Sequence, residues 1–158
     1  EQAYRILRTL CLSYRTGGSS NLRTMAVEVV RALRRRTIVN LVTDVNHEVD
    51  DYVYFSHLMW ARGHVTNLLL VADESELSLP NVGWLTLMES EELRKITIDT
   101  SEFKTEYDKE VHSVLTGIMS SCKIFGTRIF LFRNTGEVDF RITEIADSYR
   151  LARENAYR

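Results

Sequence analysis

Apolar residues recur at Ile6, Leu7, Leu10 and Tyr14, with Arg5, Arg8 and Arg15 between them. That spacing lays one apolar face along a helix over residues 3–14. The loop holding Gly17 and Gly18 stops it, and Ser20 or Asn21 is placed to cap a second helix. The predicted buried stripe of that helix is Met25, Val29, Val30 and Leu33. From Thr37 the pattern changes. Residues 37–43 are a β-branched run that reads as a strand, ended by Asp44-Val45-Asn46. A helix follows from Asp51 to Arg62, although Tyr52 to Phe55 also suit a strand, and Gly63 closes it. Residues 67–72, apolar without a break from Leu68, read as a central parallel strand.

Pro80, the single proline, precedes a predicted short strand over residues 82–88. Residues 89–94 fit one helical turn, and residues 96–103 fit strand or helix equally. A helix over residues 106–122 buries Val111, Val114, Leu115, Ile118 and Met119. Residues 128–132 and 137–142 flank Asn134-Thr135-Gly136, a hairpin signature. Residues 145–157 make a final helix. Together these predict an α/β, three-layer sandwich: a mostly parallel sheet, N-terminal helices, and a C-terminal β-hairpin plus helix. At 158 residues and 18.3 kDa the chain fits a single domain, residues 1–158. It opens at Glu1 inside a helical pattern, so the expectation is a fragment of a larger protein.

Charge sharpens the picture. Residues 1–36 carry eight arginines against two glutamates, a balance of +6, whereas residues 44–110 carry fifteen acids against five bases, a balance of −10. The basic part includes Arg31, Arg34, Arg35 and Arg36, candidate RNA-binding residues. The ordinary account is a solvated face, and cations suit the end of a helix in any case. No apolar run is long enough for a membrane-spanning segment. Cys11 and Cys122 are far apart and lack ligand spacing, so a reducing, cytoplasmic setting is expected.

The acids carry the candidate chemistry. In an open parallel sheet, ligands bind beyond the carboxyl ends of the strands. Asp44 and Asp73 each follow a predicted strand, and Asp51 opens the helix between them. Glu48 lies just before that helix. Carboxylate oxygens converging there suit Mg²⁺ or Mn²⁺, which can polarise a phosphoryl oxygen and activate water. The competing account is helix capping, which acids in a first turn perform for dipole reasons alone.

Glu48-Val49-Asp50-Asp51, a helix, and then residues 68–77 with Asp73 and Glu76 resemble the second half of a PIN or NYN ribonuclease domain. The resemblance spans about thirty residues. It implies an α/β/α sandwich that cuts RNA with Mg²⁺ or Mn²⁺. Asp51 matches the helix acid, Asp73 the strand-end acid and Glu76 the trailing acid, with Glu48 an alternative to Asp51. On that basis Asp51, Asp73 and Glu48 are candidate catalytic residues, and Asp44, Asp51 and Asp73 candidate metal ligands. The family's first strand ends in an acid and an asparagine well upstream of the helix acid. Here Asp44-Val45-Asn46 sits directly before it.

Other motifs add little. His47 is near the acids and suits a base or a ligand. His57 reads as a satisfied core histidine. His64 with Thr66 has a second copy at His112, but Val114 stands where the hydroxyl should be. Tyr52, Tyr54, Phe55, Trp60 and Trp84 read first as core and second as base-stacking surface. Residues 129–132 offer a sheet edge to a partner. The expected function is a non-catalytic α/β regulatory or assembly domain of a larger intracellular protein. Its partner would be another protein chain or the rest of its parent protein. The alternative is a Mg²⁺- or Mn²⁺-dependent ribonuclease acting through Asp44, Asp51 and Asp73.

Overall fold

The computed structural model describes residues 21–88, 95–133 and 142–147. Asn21 opens the first described helix, α1 (Leu22–Ala32), its side chain accepting from the Thr24 N–H at 2.9 Å. Leu22 and Ala26 are the buried positions of α1, with Met25, Val29 and Val30 packed beside them. Met25, Val29 and Val30 thus lie on the core side as the apolar spacing predicts, Leu22 and Ala26 extend that face, and Leu33 is the C-cap rather than part of the stripe.

Strand β1 (Ile38–Thr43) leads to α2 (Val49–Ala61) and then β2 (Val65–Val71). Helix α2 starts two residues before the predicted Asp51, with Glu48 at the N-cap and no side-chain cap bond. Its end is a Schellman motif. The Gly63 N–H donates to Trp60 O at 2.8 Å and the His64 N–H to Met59 O at 3.0 Å. Gly63 takes φ +74°, a conformation that favours glycine.

A short helix α3 (Glu74–Leu77), an antiparallel pair β3 (Trp84–Met88) and β4 (Lys95–Asp99), the long helix α4 (Thr100–Lys123) and β5 (Arg128–Phe132) follow. The segment that fitted strand or helix resolves into both: β4 ends at Asp99, which caps α4 through the Ser101 N–H at 3.0 Å. Thr100 locks the junction, its hydroxyl donating to Gly83 O at 2.8 Å.

The main sheet has the order β1-β2-β5, all parallel. β5 thus pairs with β2. The predicted hairpin partner over residues 137–142 falls almost wholly outside the described residues, and residue 142 itself is helical. The helices predicted at 3–14 and beyond 147, and the turn at 89–94, also lie outside them. Helix is described from residue 142, before the predicted start at 145. The α/β class with a mostly parallel sheet holds.

The core joins one sheet face (Leu41, Leu68, Leu70 and Leu131) to Leu22 and Ala26 of α1, Tyr52, Phe55 and Met59 of α2, and Ile118 and Cys122 of α4. Two aromatic expectations fail. Trp60 is 56% exposed and Trp84 74% exposed. His57 is also exposed, stacked on Trp60 at 6.1 Å and tilted against Phe125 at 5.1 Å. The cause for Trp60 and His57 is the helix turn itself: α2 already fills the core with Tyr52, Phe55 and Met59, spaced on one face.

Candidate functional site

The carboxyl edge of the sheet gathers the acids that the sequence singles out. β1 and β2 run parallel with Thr43 opposite Leu70, so Asp44 and Asp73 follow neighbouring strand ends. Asp51 lies in the first turn of α2, above the same edge. The placement on one edge is thus as read from the sequence.

Their contacts are local. Asp51 accepts from Arg23 Nε of α1 in a salt bridge, and this contact raises the Arg23 pKa. Asp44 accepts from Asn46 Nδ2 at 2.9 Å, while its backbone carbonyl accepts from the Tyr52 hydroxyl at 2.7 Å. Asp73 caps α3, accepting from the Ser75 N–H at 2.9 Å and the Ser75 hydroxyl at 2.6 Å. Glu76 completes a capping box by accepting from the Asp73 N–H at 2.8 Å. The Ser75 bonds hold the Asp73 carboxyl below its ordinary pKa. Among the described residues, no three His, Cys, Asp or Glu side chains stand together as a set that could hold a metal ion. As placed, the carboxylates share an edge without forming a ligand set. Glu48 is exposed at the α2 N-cap.

Beside this edge lies a cavity of about 220 Å³ walled by Ala72, Glu76, Tyr107 and Glu110. The Tyr107 hydroxyl donates to Glu76 O at 2.8 Å. Its pKa is raised first by burial and then by the Glu76 and Asp108 charges. Below it, Lys104 bonds Ser78 Oγ, Leu79 O and Asp108 and ties the 78–79 segment to α4. Cys122 is buried in the core as a free thiol, and burial pushes its pKa up, which makes it a poor nucleophile.

The arginines sit at the other end. Arg31 is in the last turn of α1, and Arg34, Arg35 and Arg36 follow its C-cap, Leu33, before β1 begins. They are therefore at the amino edge of the sheet. Six strand residues at ~3.3 Å each put about 20 Å between that edge and Asp44. The sequence places the basic and acidic segments next to each other in the chain, and β1 carries them apart. The structure adds Arg62 and His64 to the basic cluster, where the sequence reads Arg62 only as a helix end and His64 only with Thr66. Their signal was the helix stop itself, because a Schellman glycine turns its neighbours toward the start of the next strand.

These elements define an α/β domain with a parallel sheet, acids at one strand edge and arginines at the other. The chain belongs to the family described as "Protein of unknown function DUF58", whose model matches residues 1–114. No curated protein and no solved structure matches it.

Proposed function

We propose that this chain is a non-catalytic α/β regulatory or assembly domain of a larger intracellular protein, and that it docks another polypeptide along the outer edge of β1. The observation that carries this reading is the strand itself. β1 stands at one end of the strand order, and among the described residues its one strand partner is β2. Its sequence, Ile38-Val39-Asn40-Leu41-Val42-Thr43, has no charge and no proline, the devices that normally guard such an edge. Ile38 is 41% exposed and Val42 64% exposed. A groove of about 440 Å³ runs beside it, walled by Met25 and Leu22 of α1 and by Leu41 and Val42. The local engagement of Asp44, Asp51 and Asp73 supports the non-catalytic half of the reading.

The experiment is sedimentation velocity over a concentration series, on the wild type and on Val42→Lys. Pairing through β1 gives association that the lysine suppresses, since a charge on an edge strand opposes strand addition. Association unchanged by the substitution would remove β1 from the reading, and a wild type that stays monomeric when mixed with the rest of its parent protein would end it.

The shared edge of the three acids favours a second reading, a Mg²⁺- or Mn²⁺-dependent ribonuclease of the PIN or NYN kind. A melting titration with each metal on the wild type and on Asp73→Asn separates the two. A metal-dependent rise present only in the wild type, followed by RNA cleavage, would replace the assembly reading. The non-catalytic reading expects no shift at millimolar metal.

A further inference from the structure

A second cluster lies at the amino edge, away from β1's outer side and from the acids. Arg34, Arg35 and Arg36 from the α1–β1 loop, with Arg62 and His64 from the end of α2, wall a cavity of about 220 Å³. Its polar lining is built from two elements that are distant in sequence. Among the described residues, none of the four guanidinium groups is paired with a carboxylate; the described ion pairs are Arg23 with Asp51 and Lys104 with Asp108. Four unneutralised cations around one cavity repel each other, and an anion between them relieves that repulsion.

The usual structural account of such a run is the helix dipole, and it covers only part of the cluster. Arg31 is the basic residue in the last turn of α1, where that effect operates. Arg34 to Arg36 lie beyond the C-cap. At the end of α2 the terminal carbonyls of Met59 and Trp60 are already taken by the His64 and Gly63 N–H groups. Arg62 is therefore not needed to satisfy them.

His64 fixes the chemistry further. It is 8% exposed, and its Nδ1 accepts from the Thr37 N–H at 3.3 Å. With Nδ1 an acceptor, the ring proton belongs on Nε2, which makes this nitrogen a donor. A mostly buried imidazole held by the Thr37 backbone just before β1, and lining the cavity, supplies a fixed N–H beside the exposed arginines. The Arg36 side chain crosses Gly63 closely, its Nε 3.0 Å from where a Cβ on that glycine would stand. Guanidinium groups match phosphate oxygens in pairs of parallel bonds.

We infer that the cavity formed by Arg34, Arg35, Arg36, Arg62 and His64 binds a small multiply charged phosphate, of the size of inorganic pyrophosphate or the diphosphate of a nucleotide. At about 30 Å³ for each water-sized group, a cavity of about 220 Å³ has room for the oxygens of such an anion. Nucleic acid is the less favoured occupant, because Arg31 lies outside the cavity lining and the charges close on one space rather than along a track.

The test is titration calorimetry of the whole chain with inorganic pyrophosphate at low ionic strength, repeated with ADP and with a single-stranded RNA decamer. Saturable pyrophosphate binding is expected, weakened about ten- to a hundredfold by Arg62→Gln and by Arg35→Gln, the worth of one charged hydrogen bond. Arg31→Gln leaves it within about twofold, since only screened long-range charge is lost. All three substituted side chains are exposed, so the fold survives, and melting curves of the variants verify that. ADP that competes with pyrophosphate assigns the site to the diphosphate of a larger molecule; ADP that does not assigns it to the inorganic anion. No saturable binding, or equal weakening by all three substitutions, overturns the inference. RNA binding that pyrophosphate cannot displace and that Arg31→Gln weakens as much as Arg62→Gln overturns it in favour of a nucleic-acid surface.

Discussion

Single residues set several of the molecule's properties, and Gly63 shows how. At φ +74° any side chain is strained, and a Cβ would meet Arg36 Nε at 3.0 Å. The Arg36 side chain is flexible and can move, so the backbone decides the cost. Gly63→Ala is expected to cost about 1–2 kcal/mol, the penalty of a left-handed residue, measurable by urea unfolding. Tyr52 offers a prediction in pH. It is 1% exposed and donates to Asp44 O at 2.7 Å. Burial pushes its pKa up to about 12, with the charges of Asp44 and Asp51 adding and a backbone contact at His47 opposing. A phenol raised in the folded state favours the neutral form there. Its contribution is complete below pH 10, its ordinary value, and is lost as pH rises through about 12. Stability should fall across that window by on the order of 2–3 kcal/mol, and the fall should be reduced in Tyr52→Phe. Alkaline melting curves of the two proteins check it.

At the scale of elements, local chemistry competes with candidate function, and Asp73 is the clearest case. It opens the four-residue helix α3, and its carboxylate and that of Glu76 satisfy each other's backbone N–H groups reciprocally. Asp73→Ala should cost about 0.5–2 kcal/mol as a lost cap, and Asp73→Asn far less, because asparagine caps nearly as well. Chemical denaturation of the three proteins decides it: a metal ligand would instead separate them only when Mn²⁺ is present. The strand β1, the helix α2 with its stop at Gly63 and the central strand β2 are legible in the sequence because period, cap and apolar run agree there. Asn21 is the one of the two caps offered by the sequence, Ser20 or Asn21, that the helix uses. The turn from β4 into α4 is not, since residues 96–103 carry both patterns and the Asp99 cap and the buried Thr100 hydroxyl decide between them. Trp60 and Trp84 mislead because composition favours burial while their positions on α2 and β3 leave them 56% and 74% exposed. The shared edge of Asp44, Asp51 and Asp73 follows from strand order. Their engagement by Arg23, Asn46 and Ser75 depends on side-chain placement that spacing does not encode.

For the whole molecule the deciding fact is that β1 carries charge apart. Arginines following α1 stay at the amino edge, and the acids collect about 20 Å away, at the carboxyl edge. Two clusters one strand length apart act on each other only weakly. At that separation a unit charge in water is worth roughly 0.2 kcal/mol, and physiological salt, with a screening length of about 8 Å, removes most of that. Substitutions at the two edges should therefore add. Asp44→Asn is expected to leave pyrophosphate affinity at the arginine cavity within about twofold, and Arg62→Gln to leave any response to Mn²⁺ unchanged. The double variant should match the sum of the single effects to within about 0.5 kcal/mol. Calorimetry of the four proteins at two salt concentrations measures this directly. A single centre that held phosphate with the arginines and a metal with the acids would behave otherwise, because each substitution would remove a contact to the same bound molecule. Strong coupling between Asp44 and Arg62 would then appear, and it would mean that the two edges meet around one ligand in a way that the length of β1 forbids.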